Sequence, residues 1–146
     1  MLLPEILEEA RRTGNYDAVV GVVPYARFMG FSIRVEDGDV LGMMRFGDHI
    51  VGNPKVGALH GGTLGALMEF TGIFKLLHAG GTRRVPKTVN VTIEYLRSAA
   101  KVDTFARAHF IRHGRRIANV RIEAFQDDPS RPVAAANAHF LLEPDE

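Results

Sequence analysis

The segment GGTLGALMEFTGIFKLLH, residues 61 to 78, constrains the fold more than any other. Its apolar residues, among them Leu64, Leu67, Met68, Phe70, Phe74 and Leu77, run almost all the way round a helix. A helix of that kind has to be wrapped by the rest of the protein. Gly80 and Gly81 supply its stop signal. One residue is out of place. Glu69 puts a carboxylate in mid-helix, and an unpartnered buried charge is costly. With Glu69 at zero and about 100° per residue, Thr63, Thr71, Lys75 and His78 fall roughly 120° to 240° away. Gly62, Gly65, Ala66, Ile73 and Leu76 fall within about 60° of it. Side chains lean toward the helix N-terminus. The carboxylate therefore leans over Gly65 and Gly62, which have nothing to fill the space, and a cleft beside it is expected. Two readings stand. Glu69 has a structural partner, such as an arginine or an interface, or it is a functional group in a wet cleft. His60, just ahead of the helix, either caps it or belongs to the same site. The free N–H groups and positive dipole end there suit a polarised carbonyl oxygen.

The material that wraps this helix lies mostly after it. Val89, Val91, Ile93 and Tyr95 alternate with Thr88, Asn90, Thr92 and Glu94. Residues 102 to 126 read as two strands joined at His113-Gly114, and residues 133 to 143 as a final strand. Before the helix, MGFSIRVEDGDVLGMMRFGDH reads as a hairpin turning at EDGD, followed by a loop, IVGNPKVGA. Leu2, Leu3, Ile6, Leu7 and Ala10 have helical spacing, with Gly14 as a stop. Residues 15 to 27 read as a short helix broken at Pro24, or as a loop. One-face alternation in the last four strands predicts an antiparallel sheet with one face on the helix and one polar. The class is α+β, and such a sheet leaves an open edge through which chains can pair.

Of the 146 residues, 46% are hydrophobic, enough to fill one core, so a single domain over 1–146 is expected. A net charge of +1 gives no global field toward nucleic acid or membrane. The absence of cysteine excludes disulfides, thiolate chemistry and cysteine-zinc sites, and fits a cytoplasmic protein. The N-terminus has no basic start, and Pro4, Glu5, Glu8 and Glu9 interrupt its apolar run, so no signal peptide is read there. No pair of histidines and carboxylates has metal-ligand spacing, so no metal and no cofactor are expected.

The stretch NPKVGALHGGTLGALMEFTG resembles the central segment of PaaI-type acyl-CoA thioesterases of the hotdog superfamily. Their signature is His-Gly-Gly with a helical Asp or Glu nine residues after the histidine, the spacing of His60 and Glu69. PKTVNVTIEYLRSA and GRRIANVRIEAFQDD extend the resemblance over about residues 25 to 142. It implies a hotdog fold, a long helix inside a curled antiparallel sheet, here with an extra N-terminal helix. It also implies a homodimer or a dimer of dimers, with active sites between chains that combine the His-Gly-Gly turn of one with the carboxylate of the other. Carried over, Glu69 is the catalytic carboxylate, acting as base or nucleophile. The Gly61 N–H holds the thioester oxygen, with Gly62 beside it. His60 shapes the turn, and Thr88 stands where the family often has a hydroxyl near the attacking water. Many members carry Asn or Gln six residues before the histidine; here Asn53 lies seven before and is the candidate.

RHGRR gathers Arg112, His113, Arg115 and Arg116 at a turn. It reads as a solvated basic turn or as a contact for the phosphates of coenzyme A, to which arginine is suited. Arg97 is a further candidate for that role. His109 and His139 alternate with polar residues and belong on the outer sheet face. The expected activity is hydrolysis of an acyl-CoA thioester. The alternatives are a hydroxyacyl-thioester dehydratase, which also uses a histidine and a helical carboxylate, and a non-catalytic acyl-CoA binding protein.

Overall fold

The structure, a computed structural model, describes residues 3–82 and 84–144; Leu2 and the side chain of Leu3 lie outside what it describes. The first helix, α1, spans Leu3–Thr13 and ends at Gly14, whose φ of 76° is left-handed. Residues 15 to 27, ambiguous in sequence, fold into two short helices, α2 (Asp17–Gly21) and α3 (Pro24–Phe28). Pro24 opens α3, where its missing N–H and fixed φ cost nothing.

The hairpin forms as β1 (Phe31–Glu36) and β2 (Asp39–Met44). Its two turn residues, Asp37 and Gly38, have φ of 52° and 78°, the mirror-image turn that matches strand twist. The segment expected to be a loop instead makes a small ladder of β3 (Val51–Asn53) and β4 (Ala58–Leu59). It leads directly into α4, Gly61–Ala79, which Gly80 ends with φ 79°. Then come β5 (Lys87–Tyr95), β6 (Thr104–His113), β7 (Ile117–Phe125) and β8 (Ala134–Leu141).

The main sheet has the order β1-β2-β6-β7-β8-β5, antiparallel throughout, and α4 lies across one face of it. That inner face is paved with small residues. Ala106, Ala108, Ala118, Ala124, Ala136 and Ala138 are all buried, so the helix can come close. Glycines mark the tightest points: a side chain at Gly42 would overlap the Thr71 hydroxyl, and one at Gly72 would press on the Phe140 ring. The outer face is polar, as its alternation predicts. Arg107 pairs across from Glu123 and His109 from Arg121, while His139 Nδ1 meets Asn90 Oδ1 at 2.9 Å.

The two sheet edges differ. At the β1 edge, α2 and α3 pack against the strand. At the β5 edge no element of the described chain pairs beyond it. Among the described residues no helix is long and apolar enough to cross a membrane.

Candidate active site

Glu69 sits half-buried on α4, on the stripe that faces β5: Thr88 of β5 reaches it, and a Cβ on Gly65, one turn earlier, would meet Ile93 Cδ1 at 2.8 Å. The sequence leaves open whether it has a cationic partner. Among the described residues it has none; Thr88 Oγ1 donates to Glu69 Oε2 at 2.6 Å, and Oε1 is free. The polar residues predicted on the far side of the helix all have structural partners. Thr71 Oγ1 donates to the Leu67 carbonyl at 2.7 Å, and Lys75 Nζ lies 2.9 Å from Asp39 Oδ1.

Thr88 reaches Glu69 because of a bulge. Plain alternation puts Thr88 on the outer face with Asn90 and Thr92. In the structure Thr88 opposes Phe140 and Asn90 opposes His139, so Val89 is an extra residue in the ladder. Phe140 is fully buried, which places Thr88 on the inner face, while Val89 is pushed out and 59% exposed. A bulge is a common device for re-aiming one side chain.

The His60-Gly61-Gly62 turn stands at the other end of the same helix face. His60 caps α4: its Nδ1 accepts the Gly62 N–H at 2.8 Å. Its carbonyl takes Thr63 Oγ1 at 2.6 Å and Thr63 N at 3.0 Å, and its own N–H bonds Ile50 O at 2.8 Å. These contacts pin the turn and leave the Gly61 N–H with no acceptor among the described residues. A free amide at the positive end of a 19-residue helix is a ready oxyanion donor. Gly62 is exposed beside it. Tyr95, which the sequence reading did not single out, donates its hydroxyl to the Gly61 carbonyl at 2.9 Å. The available signal was its place at the end of the apolar row Val89, Val91, Ile93, Tyr95, where it adds a polar tip.

The other candidates lie further away. Asn53 is exposed, and its Oδ1 accepts the Lys55 N–H at 3.1 Å, so it braces the β3–β4 turn. Arg115 and Arg116 lie at the β6–β7 turn and line a groove of about 460 Å³ with Arg112, Asn119 and His139. Arg116 also lines an adjoining pocket with Arg84 and Lys87. Arg97 follows the opposite end of β5, its Nε bonded to Pro132 O at 3.0 Å. One chain therefore does not bring Arg97 to Arg115 and Arg116; the nine residues of β5 separate them by about 30 Å. The same holds for the chemistry. Gly61 and Glu69 are eight residues apart on one helix, or about 12 Å.

A long helix laid on an antiparallel sheet, with a carboxylate in mid-helix and a capped glycine turn at its start, is the hotdog architecture. The thioesterase superfamily model matches residues 56–133, and the chain belongs to that superfamily. Among solved structures it is similar to a Chromobacterium violaceum protein at 34% identity, with a TM-score of 0.79, covering 97% of this chain and 99% of that one. A phenylacetic acid degradation-related protein of Ralstonia eutropha aligns at 27% identity, TM-score 0.74, over 94% and 99% of the two chains. The phenylacetic acid degradation protein PaaI of Thermus thermophilus shares the fold at 19% identity, TM-score 0.68, over 82% and 98%. Comparison with curated proteins finds no match. Thioester hydrolysis is the general class of chemistry that this membership supports.

Proposed function

We propose that the protein hydrolyses acyl-CoA thioesters at a site completed by two copies of the chain. One observation carries this reading. Gly61, whose N–H is a free donor, and Glu69, whose Oε1 is free, stand eight residues apart along α4, about 12 Å of helix rise. A second copy resolves the mismatch. Let two β5 strands pair antiparallel, centred near Val91. Tyr95 of one chain then opposes Lys87 of the other. Gly61, which packs on Tyr95, comes beside Thr88 and Glu69 of the second copy. The two-fold operation makes two equal sites. It also covers the open β5 edge. The same pairing carries Arg97 toward Arg84, Lys87 and Arg116 of the other chain, and gathers cations for the phosphates of coenzyme A.

The chemistry then runs with few parts. The thioester oxygen accepts the Gly61 N–H. Glu69 of the second copy takes a proton from water, whose oxygen attacks the carbonyl carbon. The C–S bond breaks, and the thiolate leaves and receives the proton from Glu69. Direct attack by Glu69 is the other route, through a mixed anhydride that water opens. A single turnover in ¹⁸O-water separates them, because only the second route labels the Glu69 carboxylate. Thr88 holds Oε2, so that Oε1 faces the reacting atoms. Dehydration fits less well. His60 Nδ1 already accepts from Gly62, which removes that nitrogen as a base. In this reading His60 and Asn53 shape the turn and do not touch the reacting atoms. The polar outer face, where Arg107 Nε and Asn119 Oδ1 are buried without a partner among the described residues, would join two such dimers. A CoA ester substrate and a cysteine-free chain suit the cytoplasm.

Thiol release from a panel of acyl-CoA esters tests the activity and separates hydrolysis from binding alone. Mixing tests the shared site. Glu69→Gln and Gly61→Val should each be inactive alone. Mixed and allowed to exchange subunits, half the dimers are hybrids with one intact site of two, and about a quarter of the parent rate should return. No recovery from mixtures shown to exchange, or full activity in a monomer, overturns the two-chain site.

A further inference from the structure

We infer that Tyr95 is the positioning residue of the carbonyl-binding turn: its hydroxyl fixes the Gly61–Gly62 peptide, and its ring sets how close anything can come to Gly61. This rests on reading Gly61 as the oxyanion donor. Two peptide units make the turn. The His60–Gly61 unit is held through the His60 carbonyl by Thr63, as described. The Gly61–Gly62 unit is held at both ends. Its N–H goes to His60 Nδ1 at 2.8 Å, and its carbonyl takes the Tyr95 hydroxyl at 2.9 Å. Among the described residues, the Tyr95 bond is the one hold on the turn that comes from the sheet edge rather than from neighbouring residues of the turn or from β3 and β4.

The ring does a second job. A Cβ built on Gly61 would lie 3.0 Å from Tyr95 Cε1, 3.1 Å from Cζ and 3.2 Å from the hydroxyl oxygen. Those distances are tighter than ordinary van der Waals contact, so the ring lies flush against the Gly61 Cα. Gly61 has no positive φ, so its backbone does not require glycine. Tyr95 does. The backbone of Tyr95 is held in the sheet, paired with buried Ala134 of β8. Tyr95 as a whole is 55% exposed, at the open edge where the second copy would arrive. Tyr95 thus stands between the donor and the proposed position of the other chain's Glu69, and its length sets the gap.

A residue acting this way affects the transition state more than substrate binding, so kcat should fall with KM little changed. Tyr95→Phe keeps the ring and loses one hydrogen bond. Its kcat should drop about fivefold, with KM within about twofold and the dimer intact. Tyr95→Leu loses bond and ring, and should cost more. The sharper test couples it to Gly61→Ala. The methyl group collides with Tyr95 but not with leucine. The double variant should therefore be less impaired than the product of the two single effects. ¹⁵N-labelled protein gives a readout independent of turnover: in Tyr95→Phe the Gly61 and Gly62 amide resonances should move, while those of β8 away from Ala134 stay. Parent kcat in both Tyr95 variants, multiplicative behaviour in the double variant, or unmoved glycine amides overturns the proposal. Failure of the functional reading looks different. There the parent hydrolyses no acyl-CoA, or Glu69→Gln and Gly61→Val turn over normally, and the amide shifts alone then decide whether Tyr95 clamps the turn.

Discussion

The two ends of α4 are built to opposite specifications. At the C-terminal end the polar side chains of the helix have partners within the fold. Arg11 of α1 donates to the Leu77 carbonyl at 2.6 Å, a cation on a helix C-terminus. Tyr16, fully buried, shares a 2.6 Å hydrogen bond with His78 Nδ1, and its ring meets Phe74 edge-on at 5.7 Å. Lys75 pairs with Asp39 and lies 5.2 Å over the Phe110 ring. At the N-terminal end the backbone is pinned as firmly, but some polar groups stay free. They are the Gly61 amide, the second oxygen of Glu69 and the edge of β5. The difference teaches how to sort polar residues in an apolar helix. Those whose hydrogen-bonding capacity is used up hold the fold, and those left with spare capacity are the candidates for chemistry.

The largest effect should come from the open end. Glu69→Gln keeps the shape and the Thr88 bond but removes the proposed base, so kcat should fall by about 10²-fold or more with little change in melting temperature. Normal turnover would return Glu69 to a structural role. Gly61→Val should follow, at about 10²-fold in kcat, because the added side chain meets Tyr95 and tilts the donor. Since Gly61 does not have a positive φ, this variant should still fold, which circular dichroism and sedimentation check. Thr88→Ala frees Glu69 Oε2 and should cost less, about five- to tenfold.

Changes at the clamped end should do the reverse. Tyr16→Phe leaves His78 Nδ1 without its partner and should lower stability by about 1–2 kcal/mol, or about 3–6 °C in melting temperature, at unchanged kcat. A matching loss of kcat would mean that the ends are coupled. The smallest effect concerns acid. Burial raises the Asp39 pKa, but the hydrogen bonds from Lys75 and the Val40 N–H, with the charges of Lys75 and Arg107, outweigh it, and the net shift is downward. The stabilisation is therefore complete above the unfolded carboxyl value and is lost as pH falls through the lower folded one. The Asp39 side chain is 40% exposed, so screening keeps the contribution under about 1 kcal/mol. Melting curves of parent and Asp39→Asn should differ by that small amount at neutral pH and converge below about pH 4.

Much of this molecule is legible in its residues. The all-round apolarity of 61–78 dictates a wrapped helix, and the period-two strands dictate a sheet with one polar face. Asp37-Gly38 dictates the turn between β1 and β2, and Gly80 the end of α4. These signals are local, and each follows from backbone sterics or burial within a few residues. The odd carboxylate was visible too, as was the His60 cap, although the sequence left open whether either had a structural purpose. The resemblance to thioesterases supplied roles that spacing alone could not.

Other features depend on contacts far apart in the chain. The bulge at Val89 reverses the phase of β5 and turns Thr88 inward, and alternation cannot show it, because one extra residue in a ladder leaves composition unchanged. Tyr95 against Gly61 joins residues 34 apart. The absence of a cation beside Glu69 among the described residues, and the lack of any acceptor for an amide about 12 Å away along the helix, depend on where the sheet places its neighbours. The chain's local chemistry chose its helix, its strands and its one misplaced charge. Which of its polar groups stayed unsatisfied was decided only when strands distant in sequence packed around that helix, because satisfaction is a property of the assembled surface and not of any segment.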